Sequence, residues 1–355
     1  MNNVKNISLY FSKLDRYKIE PLLDILNHPD SNFVDVELSK RLFKQDLEEK
    51  FEPIIDFLIQ QKVEANLIIT GNFIQSASEL RPSIIKKIKK LADAKQITIV
   101  ANAFYGNAVT SLFNSAWWSA TVINSIKTIQ YHLGLDAEMV FIPQLFRELE
   151  LERITEATKI TAFLCRQKGD RQIEFSLKLS ELRRFEGKKV SWLKSNLDQE
   201  CNFYFEPDNQ FFDINSLSLG KKSLDLIIKS LNMKLGLAST TAILRPKITR
   251  LNSSNKVRLN DGYSLALFTP MARAIIRLWA YGSTVILSEH SQNPSPFSQE
   301  LFYNFAALQN DDFLFYLKPE NYAGKEKINF TSPYEAFVNM QSAVKKSEII
   351  LRHKI

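Results

Sequence analysis

The sequence predicts an α/β protein built of β/α units around a parallel sheet or barrel, with a helical region after it. From Ile7 to about Leu244, short apolar runs of strand length alternate with longer amphipathic stretches. That rhythm belongs to strands and helices taken in turn. After Leu244 the alternation stops: Arg245 to Tyr263 is polar and irregular, and the remainder of the chain has helical periodicity. Gly71 and Gly106 follow the second and third strand-like runs, at the carboxyl ends where the loops of such folds build their sites.

Seven strands are expected, over Ile7 to Ser12, Ala65 to Thr70, Ile97 to Ala101, Met139 to Ile142, Ile160 to Leu164, Asn202 to Phe205 and Ser239 to Leu244. Pro82 to Asp93 and Ala120 to Leu133 read as helices between them, the first opened by Arg81-Pro82-Ser83. Met271 to Trp279, Ser298 to Gln309 and Tyr334 to Arg352 read as helices of the C-terminal region. Glycine- and serine-rich or proline-rich linkers are missing between the two parts. We therefore expect residues 1–244 to form the β/α domain and residues 245–355 to pack on it as a helical region.

Composition narrows the function classes. The chain has 355 residues, 45% hydrophobic and 24% charged, with 25 Phe, which suits a soluble globular protein with a large core. It has no run of about 18 apolar residues that would span a bilayer. Met1 to Asn6 leads straight into a strand without the pattern of a secretory leader, so a cytoplasmic protein is expected. Cys165 and Cys201 lie in apolar strand-like runs and read as small buried hydrophobes. His28, His132, His290 and His353 are too dispersed for a zinc ligand set, so neither a metal nor another cofactor is expected. The net charge of +7 admits a polyanion-binding reading, but the lysines of Ile84 to Lys90 fall on the solvated side of an amphipathic helix and no nucleic-acid motif accompanies them.

Several segments carry a more specific signal. Phe330-Thr331-Ser332-Pro333-Tyr334-Glu335-Ala336-Phe337-Val338-Asn339 resembles a Ser-Pro-Tyr-(Glu/Asp)-Ala-Phe-Ile-Asn helix start of glycoside hydrolase family 57, the α-amylase-like retaining enzymes. It makes local sense, since Ser332 can cap, Pro333 suits the first helical position and Glu335 is favoured by the helix dipole. Pro270-Met271 resembles another helix start of that family. Leu67-Ile68-Ile69-Thr70-Gly71-Asn72-Phe73 and Ala101-Asn102-Ala103-Phe104-Tyr105-Gly106 resemble its Ser-Gly-Thr-Phe and Ala-Glu-Thr-Tyr-Tyr-His runs. The resemblance implies a distorted seven-stranded (β/α) barrel with a helical C-terminal region.

The departures fall on the family's chemical positions. Its opening His-Gln-Pro stands here as Leu14, Asp15 and Arg16, and its glutamate and histidine after strand three stand as Asn102 and Gly106. The Phe-Arg-Asn-Thr-Glu run that carries the family's nucleophile reads Phe141-Ile142-Pro143-Gln144-Leu145, with Leu145 at the nucleophile. The strand that carries the acid/base aspartate reads Asn202-Phe203-Tyr204-Phe205-Glu206-Pro207-Asp208, so Glu206 keeps a carboxyl group. Retaining hydrolysis needs two carboxyl groups roughly 5 Å apart, one to attack and one to move a proton. Leucine can do neither.

The expected function is accordingly that of a catalytically inactive family 57 homologue that binds an α-glucan or a partner protein. The alternative is a divergent hydrolase or 4-α-glucanotransferase in which Glu206 works with another carboxylate. Glu148, Glu150 and Glu152 lie just downstream of Leu145, but their helical period favours a solvated face. Candidate ligand contacts are Tyr105, Trp117, Trp118, Gln144 and Asp208, the tryptophans either as sugar-stacking faces or as core.

Overall fold

The computed structural model describes residues 6–11, 13, 35–62, 65–106, 110, 114–142, 151–158, 160, 162–167, 191–196, 202–204, 270–310, 314, 317, 330 and 332–354. Its centre is a seven-stranded parallel sheet: β1 (Asn6–Phe11), β2 (Ala65–Ile69), β3 (Ile97–Ala101), β4 (Met139–Ile142), β5 (Ala162–Gln167), β6 (Ser191–Asn196) and β7 (Asn202–Tyr204). The order across the sheet is β6-β5-β4-β3-β2-β1-β7. Six of these strands overlap the expected ones. The seventh is Ser191–Asn196, a segment with only Trp192 and Leu193 as large apolar residues, whereas Ser239 to Leu244 lies outside the described residues.

Parallel neighbours require crossovers, and helices supply them. They are α1 (Val36–Asp46), α2 (Glu52–Gln61), α3 (Gly71–Leu80), α4 (Pro82–Asp93), α5 (Ser115–Leu133) and α6 (Leu151–Thr158). Register decides which side chains meet. Phe11 pairs with Ile69 and Ile69 with Ala101, and all three enter the core between sheet and helices. One residue back, Ile68 pairs with Val100 and Val100 with Met139; with Phe141 these form a separate apolar cluster. Alternation along a strand sends neighbours to opposite faces, so this second cluster lines the other side of the sheet.

Four phenylalanines anchor the helix side. Leu47–Phe51 winds as a π-helical turn between α1 and α2, and Phe51 packs 4.8 Å from both Phe11 and Phe73, with Phe43 5.5 Å from Phe73. Edge-on rings at these separations add specificity to area burial. At the rim, Glu52 accepts hydrogen bonds from Lys87 (2.8 Å) and Arg81 (2.9 Å), tying α2 to α4. The Lys87 ammonium holds the Glu52 carboxyl below the usual carboxylate range.

The C-terminal region comprises α7 (Pro270–Gln292), α8 (Pro296–Leu308) and α9 (Pro333–Lys354), each opened by proline. The backbone N–H of Glu335 donates to Ser332 Oγ at 3.2 Å, the cap expected from sequence. Ser295 and Ser298 form a reciprocal capping box at the start of α8. The three helices share a core of Trp279, Phe302, Phe305 and Met340, against which Phe337 packs. Trp117, from α5, belongs to that same core. Asn114 secures the joint: its Oδ1 accepts from Trp117 N–H at 3.0 Å, and its Nδ2 donates to Ser283 Oγ of α7 at 3.0 Å. The expected division at residue 244 falls outside the described residues. Among the described residues no helix is long and apolar enough to cross a membrane.

Gly282 of α7 lets the helices close on one another. A Cβ there would stand 2.3 Å from Phe305 Cζ, and Phe305 is fully buried and held 5.7 Å from the Trp117 ring. Alanine favours a helix over glycine by roughly 0.5–1 kcal/mol, yet this overlap has no free space to resolve into. Gly282→Ala is expected to lower stability by about 1–3 kcal/mol in a urea melt. Stabilisation would show that α7 and α8 do not pack this closely.

Candidate functional site

The carboxyl ends of β1, β2 and β3 are where a parallel α/β fold presents its chemistry, and here they are knitted into one another. The ladder continues past the strands: Thr70 N–H donates to the Phe11 carbonyl (3.1 Å), Asn102 N–H to that of Ile69 (3.0 Å) and Asn72 N–H to that of Phe104 (3.0 Å). Thr70 Oγ1 caps α3 by accepting from Phe73 N–H at 3.2 Å. Asn72 Nδ2 reaches the Lys13 carbonyl at 3.4 Å, and Ser76 Oγ donates to Asn72 Oδ1 at 3.4 Å. Asn102, 4% exposed, folds back so that its Oδ1 accepts from Ala103 N–H at 2.8 Å. These polar side chains satisfy local backbone, as buried polar groups must.

Aromatic rings complete the closure. Gly71 has no side chain where a Cβ would meet Phe104 at 2.4 Å and the Ser125 Cα at 3.0 Å, so Phe104 settles over the start of α3. Phe104 then packs 4.8 Å from Tyr105 and 5.3 Å from Tyr303 of α8. Tyr303 meets Phe302 at 5.7 Å, and Phe302 lies 4.3 Å from Trp117. Burial pushes the Tyr303 phenol up, partly opposed by a hydrogen bond from Gln299. It therefore stays a neutral hydroxyl.

The expected site residues fare differently. Trp117 and Trp118 are both 0% exposed, so both rings lie in the core and neither offers a face to a sugar. Their burial results from α5 passing between two cores, Trp118 joining the sheet side and Trp117 the C-terminal side. Tyr105 is half-buried at the rim of this seam. Leu14, Gln144, Leu145, Glu206 and Asp208 lie outside the described residues, as do Glu148 and Glu150, so the expected meeting of Leu14 with Leu145 is not described. The strand-end positions that are described, Phe11, Lys13, Thr70 to Asn72, Asn102 to Gly106 and Ile142, include no carboxyl group. Among the described residues no three His, Cys, Asp or Glu side chains gather as they would around a metal ion. Tyr303 and Asn114 are not expected from sequence. Asn114 stands three residues before a helical Trp117, a cap spacing that sequence does contain, while nothing local marks Tyr303.

Comparison with known proteins places this geometry. Residues 17–186 match the model of glycosyl hydrolase family 57. The chain superposes on the GH57-type branching enzyme from the hyperthermophilic archaeon Pyrococcus horikoshii with a TM-score of 0.56 at 11% identity, over 97% of this chain and 89% of that one. It superposes on the alpha-amylase AmyC from Thermotoga maritima with a TM-score of 0.53 at 9% identity, over 100% of this chain and 95% of that one. No curated protein matches in sequence. Residues 17–186 are thus similar to glycosyl hydrolase family 57, and the fold along nearly the whole chain is that of these two structures.

Proposed function

We propose that this protein is a non-catalytic member of the family 57 lineage that retains the scaffold as a carbohydrate-binding surface, its ligand an α-glucan. The reading rests on Asn102. The family resemblance puts a glutamate there, but this side chain is buried and its carboxamide oxygen accepts from its own neighbour's N–H. A position aligned with a cleft residue has become a backbone brace. Leu14 and Leu145, at the family's histidine and nucleophile positions, point the same way. Without an attacking carboxylate, Glu206 cannot by itself provide both the nucleophile and the proton donor of the two-step reaction.

The sheet suits this scaffold. Its order is that of a ring of seven consecutive strands, interrupted only where β6 and β7 are not paired among the described residues. Closure into a distorted (β/α) barrel results if those two edges meet, which also removes both exposed strand edges. The alpha-amylase and branching activities of the two similar structures belong to those proteins; they support a glucan, rather than another polymer, as the ligand class to test.

Purified protein is expected to release no reducing sugar from amylose, maltooligosaccharides or aryl α-glucosides, while its migration is still retarded in a native gel containing soluble starch. Release of reducing sugar that disappears in Glu206→Gln would overturn the proposal in favour of a divergent hydrolase or glucanotransferase. Asn102→Ala is expected to cost about 1–3 kcal/mol of stability, because Ala103 N–H loses its buried acceptor. An unchanged melting temperature would mean that Asn102 braces nothing.

A further inference from the structure

The buried tryptophans leave a question of which aromatic surface remains for a sugar, and the joint between β3 and α8 answers it. We propose that Tyr105 and Tyr303, packed on the common ring of Phe104 and assisted by Gln299, form the rim that holds a hexose unit of the glucan. This rests on the glucan-binding reading above and names its residues. Tyr105 lies beyond the carboxyl end of β3, whereas Tyr303 comes from α8 in the C-terminal region, so the rim exists only because the two parts pack together.

Four observations carry it. First, Tyr105 and Tyr303 are half-buried, unlike Trp117, Trp118 and Phe104, so their rings are fixed from beneath while part of each stays open. Second, both rings are anchored at 4.8 and 5.3 Å from Phe104, which removes the entropy that free aromatic side chains would lose on binding. Third, a phenol joins an apolar face to a hydroxyl, the pairing that the C–H face and hydroxyl edge of a hexose need. Gln299, exposed and one turn before Tyr303 on α8, carries an amide that can donate to and accept from a sugar hydroxyl. Fourth, Phe104, Tyr105, Gln299 and Tyr303 include no acidic or basic side chain that is charged at neutral pH. An anionic ligand would find no cation among them; a neutral polyhydroxylated one needs none. Gly106, at φ 74°, places no side chain beside Tyr105.

The test is isothermal titration of the full chain with maltoheptaose, in the wild type and in Tyr105→Ser, Tyr303→Ser, Tyr303→Phe and Gln299→Ala. The serine variants are expected to weaken binding at least tenfold, and Tyr303→Phe and Gln299→Ala a few-fold, with unchanged circular dichroism. Tyr131→Ser is the control: Tyr131 is 83% exposed on the same helix as Trp117, roughly 20 Å further along it, and its loss should leave affinity unaltered. Should Tyr303→Ser unfold, Tyr303→Phe and Gln299→Ala preserve the packing and decide the matter alone, and wild-type affinity in both would overturn the rim. Wild-type binding that survives every rim substitution would overturn the rim, place the glucan elsewhere and leave the glucan reading intact. A wild type that binds no maltoheptaose would overturn the glucan reading and the rim with it.

Discussion

Two adjacent tryptophans hold this molecule together. Successive residues of an α-helix point about 100° apart, and α5 uses that turn to place Trp118 in the core between sheet and helices and Trp117 in the core of the C-terminal region. Both rings are fully buried. Each large indole contributes one of the larger apolar areas a core can gain, and each acts on a different body. Asn114 sets the helix start that gives both rings their direction and bonds across to α7. These contacts fix the position of α8 over the end of β3, and with it the seam of Phe104, Tyr105, Phe302 and Tyr303.

The same packing shapes the described strand ends, where no carboxyl group stands. Catalytic carboxylates are costly to keep close together, since like charges in a partly buried cleft destabilise the fold. At the described strand ends of this chain those demands are absent. Thr70, Asn72 and Asn102 each bond to neighbouring backbone, and Ser76 bonds to Asn72. Their backbone bonds brace the ends of three strands.

Sequence makes much of the frame legible. β2, β3 and β4 are mostly apolar, interrupted by Asn66 and Thr98, and such runs stand out whatever surrounds them. The helix starts at Ser332 and Pro82 are readable because capping is local. β6 is not, since Ser191–Asn196 carries few apolar residues and its place depends on pairing with β5. The fate of the tandem tryptophans is equally hidden: whether a helical tryptophan faces water or a second core is decided by α8, nearly two hundred residues away in sequence. Tyr303 reaches Phe104 for the same reason, through long-range packing rather than a motif. Glu206, Asp208, Gln144 and Leu145, where the resemblance bears most on catalysis, fall outside the described residues.

If Trp117 is the joint between the two parts, the sheet and the C-terminal helices must melt as one cooperative unit. Differential scanning calorimetry of the wild type and Trp117→Ala tests this. The account predicts one transition for the wild type, with calorimetric and van't Hoff enthalpies in agreement. In Trp117→Ala it predicts a loss of roughly 3–5 kcal/mol, or a split in which the C-terminal helices melt first. Two independent transitions in the wild type, or an unchanged profile in the variant, would contradict it.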